Sequence, residues 1–468
     1  MGGVSQQHPG ENPWRQLGQA SAEKGDHDRA VFSFQRAVAL DPHDASCWEA
    51  LASSALAAQR WPIAEQASVQ LSTRFPQLAG THLMAGHIHK MAGRAAAAVA
   101  AYERALALAP ELTEAVFHRV DLQVPKIDAI LARRVNELSQ RLGVNDVHRA
   151  NLGFARGRIL EAAGEVEEAF AAYLDANNAV IRFMRSRGVV YDPQRSEAQF
   201  ERTLAQWTPA VLSSPLEPLP AELRVIFIVG MPRSGSSLIE QMLSGHRAIK
   251  AGGELTAAAD CERFHAGCRA ERGLRGPLDP TDARERELLA EAREFYLDRL
   301  FDRELDAAYV TDKAPGNFAR LGFLRLLFPD AVFVHSCRHP AATCWSLFTA
   351  HFGQHDPYYN SLPHLAHYYH WYERLMAHWR AVVRPPMVEI SYEALVAEPQ
   401  SELARLLSHV GLEWDERCMD LESNSRPVLT ASYQQVRRPP YRSAIDRWRP
   451  YRAHLQDLLG FETAVRNF

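Results

Sequence analysis

A loop rich in glycine, serine and arginine follows the apolar run 225–229, and its composition is that of an anion-binding turn. Gly230 and Gly235 have the spacing of a P-loop, where backbone N–H groups and a helix N-terminus hold a phosphate. Ser236 stands where a P-loop for nucleoside triphosphates has lysine, so triphosphate hydrolysis is not expected. Arg233 and the serine hydroxyls of the loop indicate a smaller anion, such as a 5′-phosphosulfate.

The overall charge confines any anion site to a local feature of the surface. The chain has 468 residues, 47% hydrophobic content and a net charge of −4, which is typical of a globular protein with two or three domains. This charge predicts no nucleic-acid partner, because binding a phosphate backbone needs a basic face. The chain has only five lysines, against 47 arginines. Because lysine and arginine are not interchangeable at a compact charge site, each lysine, including Lys313, is a candidate for a specific role.

The N-terminus is polar, and no apolar run reaches about 18 residues, so the sequence predicts neither a signal peptide nor a membrane span. We interpret the chain as cytoplasmic. Its six cysteines lack CxxC spacing, and we expect them to be reduced core residues.

A period of 34 residues runs through the N-terminal part of the chain, and small and apolar residues recur with it. The clearest markers are three prolines and three alanines: Pro42, Pro76, Pro110, Ala30, Ala64 and Ala98. This pattern resembles the tetratricopeptide repeat, in which two antiparallel helices pack through small residues and proline ends the second helix. Three units span residues 11–112. Residues 113–185 keep helical periodicity and contain either one more atypical unit, near 152–173, or generic helical packing.

Prolines between 215 and 220 interrupt the helical pattern, so we place a domain boundary near 215. This gives a helical-repeat domain at 11–214 and a second domain at 215–468. In the second domain, helical stretches separate strand-like runs at 225–229, 309–311, 332–335 and 387–390. Such alternation predicts an α/β fold with a parallel sheet, whose ligands bind at the carboxyl ends of the strands.

Residues 222–455 resemble the sulfotransferase family, most closely its tyrosylprotein branch and bacterial proteins that join tetratricopeptide repeats to a sulfotransferase domain. The segments that carry the resemblance are 232–237, 252–255, 311–317, 332–340 with Ser346, and 390–396. The resemblance implies a P-loop-like sulfotransferase fold. It also implies 3′-phosphoadenosine 5′-phosphosulfate as the donor, with no metal.

The resemblance assigns roles to the loop and to two charged residues. The loop residues that would hold the 5′-phosphosulfate are Pro232, Arg233, Ser234, Gly235, Ser236 and Ser237. Glu254, 21 residues after Arg233, would be the general base that takes the proton of the attacking hydroxyl. Lys313 would stabilise the charge that develops on the leaving 5′-phosphate, and Arg233 would stabilise the transferring group.

Other residues of the resemblance would hold the nucleotide. Arg338 and Ser346 would grip the 3′-phosphate, since a guanidinium with a hydroxyl suits a phosphate monoester. The residue after Arg338 is His339, where many members of the family have aspartate. The remaining candidates are Tyr392 near the adenine, Ser432 and Arg438 on a late loop, Arg437 if that loop is shifted by one residue, and Arg442 and Trp448 without an assigned role.

Histidines at 351, 355, 364, 367, 370 and 378 include pairs with helical metal-ligand spacing. The sequence has no HExxH motif and no cysteine at ligand spacing beside them, so we interpret them as surface and core histidines. His351 or His355 could still line the acceptor cleft or assist the base.

These patterns predict a sulfotransferase that transfers a sulfuryl group to a hydroxyl acceptor and releases adenosine 3′,5′-bisphosphate. Two alternatives are a P-loop-type kinase, which would need Mg²⁺, and a non-catalytic adaptor with a nucleotide-binding domain. The branch resemblance favours a peptide tyrosine as acceptor over a sugar or a small molecule. The helical repeats would recruit that peptide, or they would form a homodimer.

Overall fold

The computed structural model describes residues 12–124, 126–141, 145–219, 223–301, 307–352, 356–385, 387–421, 426 and 443–459. Residues 12–122 form one compact unit, and the described chain from 123 to 421 with 443–459 belongs to a second unit. Within these described ranges, no helix combines the length and the apolar character that crossing a bilayer would require.

The first unit consists of antiparallel helix pairs. Its helices are α1 (Pro13–Glu23), α2 (His27–Leu40), α3 (Ala45–Ala57), α4 (Trp61–Arg74), α5 (Ala79–Met91), α6 (Ala95–Leu108) and α7 (Thr113–Gln123), of which all but the last residue belongs to this unit. The repeated alanines Ala30, Ala64 and Ala98 are fully buried. Gly18 and Gly86 lie against the rings of Phe34 and Tyr102, where a β-carbon would collide. The predicted repeat is therefore a packing unit in which small residues let paired helices approach.

The second unit begins with further helices: α8 (Ala129–Ser139), α9 (Asp146–Ala163), α10 (Val166–Ser186), α11 (Pro193–Gln206) and α12 (Pro209–Leu212). In the pair α9 and α10, Gly157 faces the ring of Tyr173, with a hypothetical β-carbon 2.5 Å from it. The partner ring lies sixteen residues after the glycine, as it does for Gly86 and Tyr102. This contact favours the interpretation of α9 and α10 as one more atypical repeat unit.

A five-stranded sheet, all of whose pairings are parallel, follows the helices. Its strands are β1 (Arg224–Gly230), β2 (Ile249–Ala251), β3 (Tyr309–Asp312), β4 (Val332–Cys337) and β5 (Val388–Ser391), in the order β2-β3-β1-β4-β5. The four predicted strands and the parallel α/β fold are confirmed. The short edge strand β2 was missed, because three residues carry no periodicity.

Strand β1 is central, and its residues from Val225 to Gly230 are buried, as expected for a parallel sheet covered on both faces. The helices around the sheet are α13 (Ser236–Leu243), α14 (Ala257–Glu271), α15 (Ala283–Phe301), α16 (Leu321–Leu327), α17 (Pro340–Phe348), α18 (Leu362–Val382), α19 (Tyr392–Ala397), α20 (Pro399–Val410), α21 (Ser443–Asp446) and α22 (Gln456–Leu459). Short 3₁₀ helices lie at Pro315–Arg320, Pro357–Asn360, Glu416–Met419 and Arg449–His454.

The pair α9 and α10 packs directly on the sheet domain. Asn177 of α10 is fully buried, and its amide nitrogen donates to the carbonyl of Phe348 at 2.9 Å. Its oxygen accepts a hydrogen bond of 2.7 Å from Asn360. The compact unit thus includes helices that precede residue 215. We retain the boundary near 215 as a proposal for the point where the repeat array passes into the sheet domain.

Candidate active site

The anion-binding loop connects the end of β1 to α13. Gly235, with φ of 107°, immediately precedes the helix and lies against Tyr392, whose ring would be 2.7 Å from an added β-carbon. Arg233 also adopts a left-handed backbone conformation, with φ of 69°. Such a conformation is uncommon for residues other than glycine, and it turns the loop sharply over the strand end. The first helical residues, Ser236 and Ser237, are buried.

Ser234 fixes the loop to the neighbouring strand β4. Its hydroxyl donates to Ser336 Oγ at 3.1 Å, and the hydroxyl of Ser336 donates to the backbone carbonyl of Ser234 at 3.1 Å. At Gly230, with φ of 145°, a β-carbon would collide with the carbonyl of Ser336. The loop is therefore held closely against the end of β4, which delivers Arg338.

Arg338 and Ser346 lie beside this loop, and with Tyr392 they form a group that we call the anchor. Arg233 Nε donates to Ser346 Oγ at 2.9 Å, and Arg338 Nη1 donates to the carbonyl of Arg233 at 3.0 Å. The guanidinium of Arg338 lies 4.7 Å from the ring centroid of Tyr392, which is cation–π geometry. Two guanidinium groups, a hydroxyl and an aromatic ring thus converge next to the loop.

Glu254 and Lys313 meet at the carboxyl end of β3, and we call them the transfer pair. Lys313 Nζ donates to Glu254 Oε1 at 2.6 Å. The lysine side chain is fully buried, whereas the glutamate side chain is 38% exposed. Strands β3 and β4 are both hydrogen-bonded to β1. The transfer pair, the loop and Arg338 therefore lie together at the carboxyl ends of three adjacent strands.

Backbone contacts position the transfer pair. Gly252 N–H donates to the carbonyl of Thr311 at 3.0 Å, and Lys313 N–H donates to the carbonyl of Gly253 at 2.9 Å. Gly253 has φ of 74°, which lets the chain turn before Glu254. The two glycines therefore bring the segment of Glu254 alongside the end of β3.

Glu240, a buried glutamate that the sequence did not single out, holds these two segments together. Its Oε1 accepts hydrogen bonds from the N–H of Gly253 at 2.9 Å and from the hydroxyl of Thr311 at 2.7 Å. Glu240 is fully buried on α13, the helix that follows the loop. The sequence did not indicate this role, because glutamate is rarely buried and a helical glutamate is normally interpreted as a surface residue.

Asp312, next to Lys313, forms a second buried network that the sequence analysis missed. It accepts hydrogen bonds from Tyr296 at 2.9 Å and from the amide of Asn317 at 3.2 Å. Burial raises the pKa of Asp312 to about 7, against the lowering effect of the Tyr296 hydrogen bond. Its position directly before Lys313, in the segment 311–317, is the signal that could have drawn attention to it.

Several of the predicted histidines have specific partners. His351 Nε2 lies 2.7 Å from Asn151 Oδ1, His367 Nδ1 lies 2.8 Å from the hydroxyl of Tyr191, and His378 Nε2 lies 2.7 Å from a backbone carbonyl. These contacts join the segment after α17 to α9, and join α18 to the segments that flank α11. Ser432, Arg437, Arg438, Arg442 and His355 lie outside the described residues.

Two groups in the described part of the chain have the composition of metal ligands: His87 with Glu114 and His118, and His335 with Cys337 and Glu389. In the second group, Arg380 Nε donates to Glu389 Oε1 at 2.8 Å, and His335 Nδ1 lies 2.8 Å from the same oxygen. His335 Nε2 lies 2.5 Å from the hydroxyl of Tyr372. This second group is therefore an internally bonded network beneath α18.

Known proteins resemble both parts of the chain. The model of the sulfotransferase family matches residues 225–416, and tetratricopeptide-repeat models match residues 11–54 and 79–112. An uncharacterized protein of Aquifex aeolicus is 27% identical over 391 residues, which are 82% of this chain and 50% of that protein. Protein-tyrosine sulfotransferase 2 of Gallus gallus is 23% identical over 245 residues, which are 48% of this chain and 63% of that protein.

Among solved structures, the sulfotransferase domain of the Synechococcus PCC 7002 olefin synthase is similar, with 21% identity and a TM-score of 0.37. The similarity covers 51% of this chain and 90% of that domain. The chain spans between half and two thirds of the length of the curated relatives named above. The matching models and the parallel sheet that carries the site show a chain in which tetratricopeptide repeats are followed by a region similar to the sulfotransferase family, residues 225–416.

Proposed function

We propose that the protein transfers a sulfuryl group from 3′-phosphoadenosine 5′-phosphosulfate to a hydroxyl acceptor. The observation that carries this proposal is the hydrogen bond between Lys313 and Glu254. It lies at the carboxyl ends of the strands, next to the anion-binding loop. The anion-binding loop lacks the lysine of a P-loop, but a base and a cation lie beside it. This arrangement suits the transfer of a sulfuryl group better than the transfer of a nucleotide's terminal phosphate.

In the proposed reaction, the acceptor oxygen forms a bond to sulfur while the bond from sulfur to the 5′-phosphate oxygen breaks. Glu254 takes the acceptor's proton, and its partial exposure allows an acceptor hydroxyl to approach. Lys313 is buried behind it and stabilises the negative charge on the departing phosphate, with Arg233 and the loop hydroxyls around the transferring group. The products are the sulfated acceptor and adenosine 3′,5′-bisphosphate.

The loop and the anchor fit such a nucleotide. The loop residues 232–237 would bind the 5′-phosphosulfate, and Arg338 with Ser346 would bind the 3′-phosphate. A guanidinium held by the carbonyl of Arg233 and stacked on Tyr392 is a preorganised phosphate ligand with an aromatic surface next to it for the adenine. Ser432 and Arg438 remain proposed late-loop contacts to the donor.

For the acceptor, we propose a peptide tyrosine. The support is the matched relative from Gallus gallus, whose name is protein-tyrosine sulfotransferase 2, and the presence of tetratricopeptide repeats, a fold that commonly binds extended peptides. We further propose that the chain acts in the cytoplasm and that its repeats recruit the acceptor.

The first test is thermal stabilisation by ligands, since a compound that binds the native state raises its apparent stability. We expect adenosine 3′,5′-bisphosphate to raise the melting temperature without metal, and 5′-AMP to do so less. Arg338→Ala should reduce the bisphosphate effect. Stabilisation by ATP with Mg²⁺ alone would contradict the proposal and favour a kinase.

The second test measures turnover. The protein with donor and a tyrosine-containing peptide should form a sulfated peptide in the presence of a chelator. Binding of the bisphosphate without any sulfated product, over a panel of peptide, sugar and phenolic acceptors, would instead favour the non-catalytic adaptor.

A further inference from the structure

The segment 443–459 covers the anchor from outside the sheet. Arg338 Nη2 donates to the backbone carbonyl of Ala444 at 2.6 Å. The ring of His339 stacks on Trp448 with centroids 4.5 Å apart and planes at 18°. The orientation of the Arg338 guanidinium therefore depends on the position of this segment, as well as on the loop.

The same segment is held on its other side by α9 and α10. Arg447 forms a two-point ion pair with Glu161 of α9, with Nε to Oε1 at 2.7 Å and Nη2 to Oε2 at 2.6 Å. The hydroxyl of Tyr173 on α10 donates to Glu161 Oε2 at 2.7 Å. Only 19% of the Glu161 side chain and 27% of the Arg447 side chain are exposed. Such a planar, doubly hydrogen-bonded pair fixes direction as well as distance.

Further contacts fix the rest of the segment. The ring of His454 stacks on Phe170 of α10 at 3.8 Å, and its Nε2 lies 3.0 Å from Glu167 Oε2. Tyr451 stacks on Trp345 of α17 at 4.0 Å. Trp345 directly precedes Ser346 of the anchor and also makes an edge contact of 5.8 Å with Tyr173. Helix α10 thus contacts both the segment that holds Arg338 and the helix that carries Ser346.

The charges of Glu161 and Arg447 also hold the 443–459 segment in place. Burial alone would raise the pKa of Glu161, but the adjacent Arg447 guanidinium outweighs it and lowers this pKa. The carboxylate is therefore ionised at neutral pH, and the pair keeps its charge under the conditions in which a nucleotide would bind. Arg158 also acts on Glu161 electrostatically, whereas the carboxylate that acts on Arg447 is Glu161. Loss of the Glu161 charge therefore leaves a largely buried guanidinium without its counter-ion, which displaces the segment.

We propose that Glu161 and Arg447 are positioning residues for recognition of the donor's 3′-phosphate, because they fix the 443–459 segment that orients Arg338. This inference rests on the proposed function and adds to it that the repeat-like pair α9 and α10 is a structural part of the nucleotide site. Arg447 lies three residues from Ala444, so a shift of the ion pair is transmitted over less than one helical turn.

The test uses the full chain and compares Glu161→Gln with wild type. Calorimetry or ligand-dependent fluorescence gives the Kd for adenosine 3′,5′-bisphosphate and for 5′-AMP. We expect the bisphosphate affinity to fall about tenfold and the 5′-AMP affinity to change little, because the lost alignment concerns the group that contacts the 3′-phosphate. The preference for the bisphosphate should shrink accordingly.

A matched control is Glu285→Gln. Glu285 forms a similar two-point pair with Arg269 between α15 and α14, and its side chain is only 4% exposed. This variant should lower the melting temperature and leave the nucleotide preference unchanged. A general loss of stability would affect both variants alike, so the preference distinguishes positioning from folding.

Arg447→Lys provides a second variant if Glu161→Gln folds poorly, since lysine keeps the charge and loses the two-point geometry. We expect a smaller loss of preference than in Glu161→Gln. An unchanged preference in both variants, with a clear preference in wild type, would overturn this inference alone. A wild-type protein with no preference for the bisphosphate would contradict the proposed function and this inference together.

Discussion

The transfer pair and the anchor lie at the ends of neighbouring strands, but different parts of the chain hold them in place. Glu254 and Lys313 are held by backbone hydrogen bonds between two short segments and by the carboxylate of Glu240. Arg338 and Ser346 are held by a loop, by the 443–459 segment and by helices that precede the sheet. The reacting groups depend on contacts within the sheet and its adjoining helix α13, whereas the nucleotide ligands also depend on the 443–459 segment and on helices that precede the sheet.

This difference has a functional consequence. In an enzyme of the proposed kind, changes at the transfer pair should reduce the chemical step and spare nucleotide binding. Changes at the anchor or its supports should reduce binding first. Variants in each region should therefore separate turnover from nucleotide binding.

The largest effect is expected for Glu254→Gln, which removes the proposed base and keeps the size of the side chain. The turnover number should fall about 10³-fold, in the range usual for loss of a general base. Affinity for adenosine 3′,5′-bisphosphate should stay within about twofold of wild type, because the anchor is unchanged. Steady-state kinetics and calorimetry on the same preparation measure both values. Unchanged turnover would remove Glu254 from the mechanism.

Gly235→Ala should act on the other region. The glycine has φ of 107°, and a β-carbon would lie 2.7 Å from the ring of Tyr392. Strain of about 1–3 kcal/mol in the loop and displacement of Tyr392 should weaken bisphosphate binding by at least about tenfold. Gly267→Ala on α14 is the control, since nothing lies within 4 Å of its hypothetical β-carbon. Equal binding by the two variants would mean that the loop and the anchor do not share the nucleotide.

The stability of the folded protein should depend on pH through Asp312, which directly precedes Lys313 of the transfer pair. The pKa of Asp312 is about 7 in the folded protein, against a usual value of 3.8. The folded state therefore binds a proton that the unfolded state has lost, and the stability this provides disappears as pH rises through 7. Between pH 5.5 and 7.5, wild type should lose about 2 kcal/mol that Asp312→Asn retains. Denaturant titrations at both pH values measure this loss. Parallel curves for the two proteins would exclude Asp312 as the titrating group.

The smallest effect is expected for Thr311→Val, which removes the hydroxyl that donates to Glu240 and keeps the side-chain shape. The free energy of unfolding should fall by about 1–2 kcal/mol, the usual cost of leaving a buried acceptor with one bond fewer. Turnover should fall modestly and bisphosphate affinity should not change. If binding fell instead of turnover, Glu240 would support the loop and not the transfer pair.

The sequence predicted most of the local features and few of the long-range ones. The loop, the four longer strands and the helical repeats each have a period or a motif within about 35 residues, and the structure confirms these elements. Glu254 and Lys313 were predicted separately for one reaction, and the structure brings them within 2.6 Å of each other. Their catalytic roles remain predictions.

Residues that support the site could not be predicted in this way. Glu161 and Arg447 are 286 positions apart, and neither belongs to a motif. Glu240 looks like a surface residue until the sheet is assembled around α13. In each case the environment that gives the residue its role is created by tertiary packing, which a pattern along one chain does not contain.

The buried amide of Asn177 has a consequence for the order of folding. Its partners at residues 348 and 360 lie 171 and 183 positions later in the chain. During synthesis, α9 and α10 leave the ribosome long before those partners exist. The face of α10 that carries Asn177 therefore stays exposed to solvent until the sheet domain has been synthesised. Contacts of such high sequence separation form slowly, so we expect this face to stay exposed to misfolding and aggregation until they form.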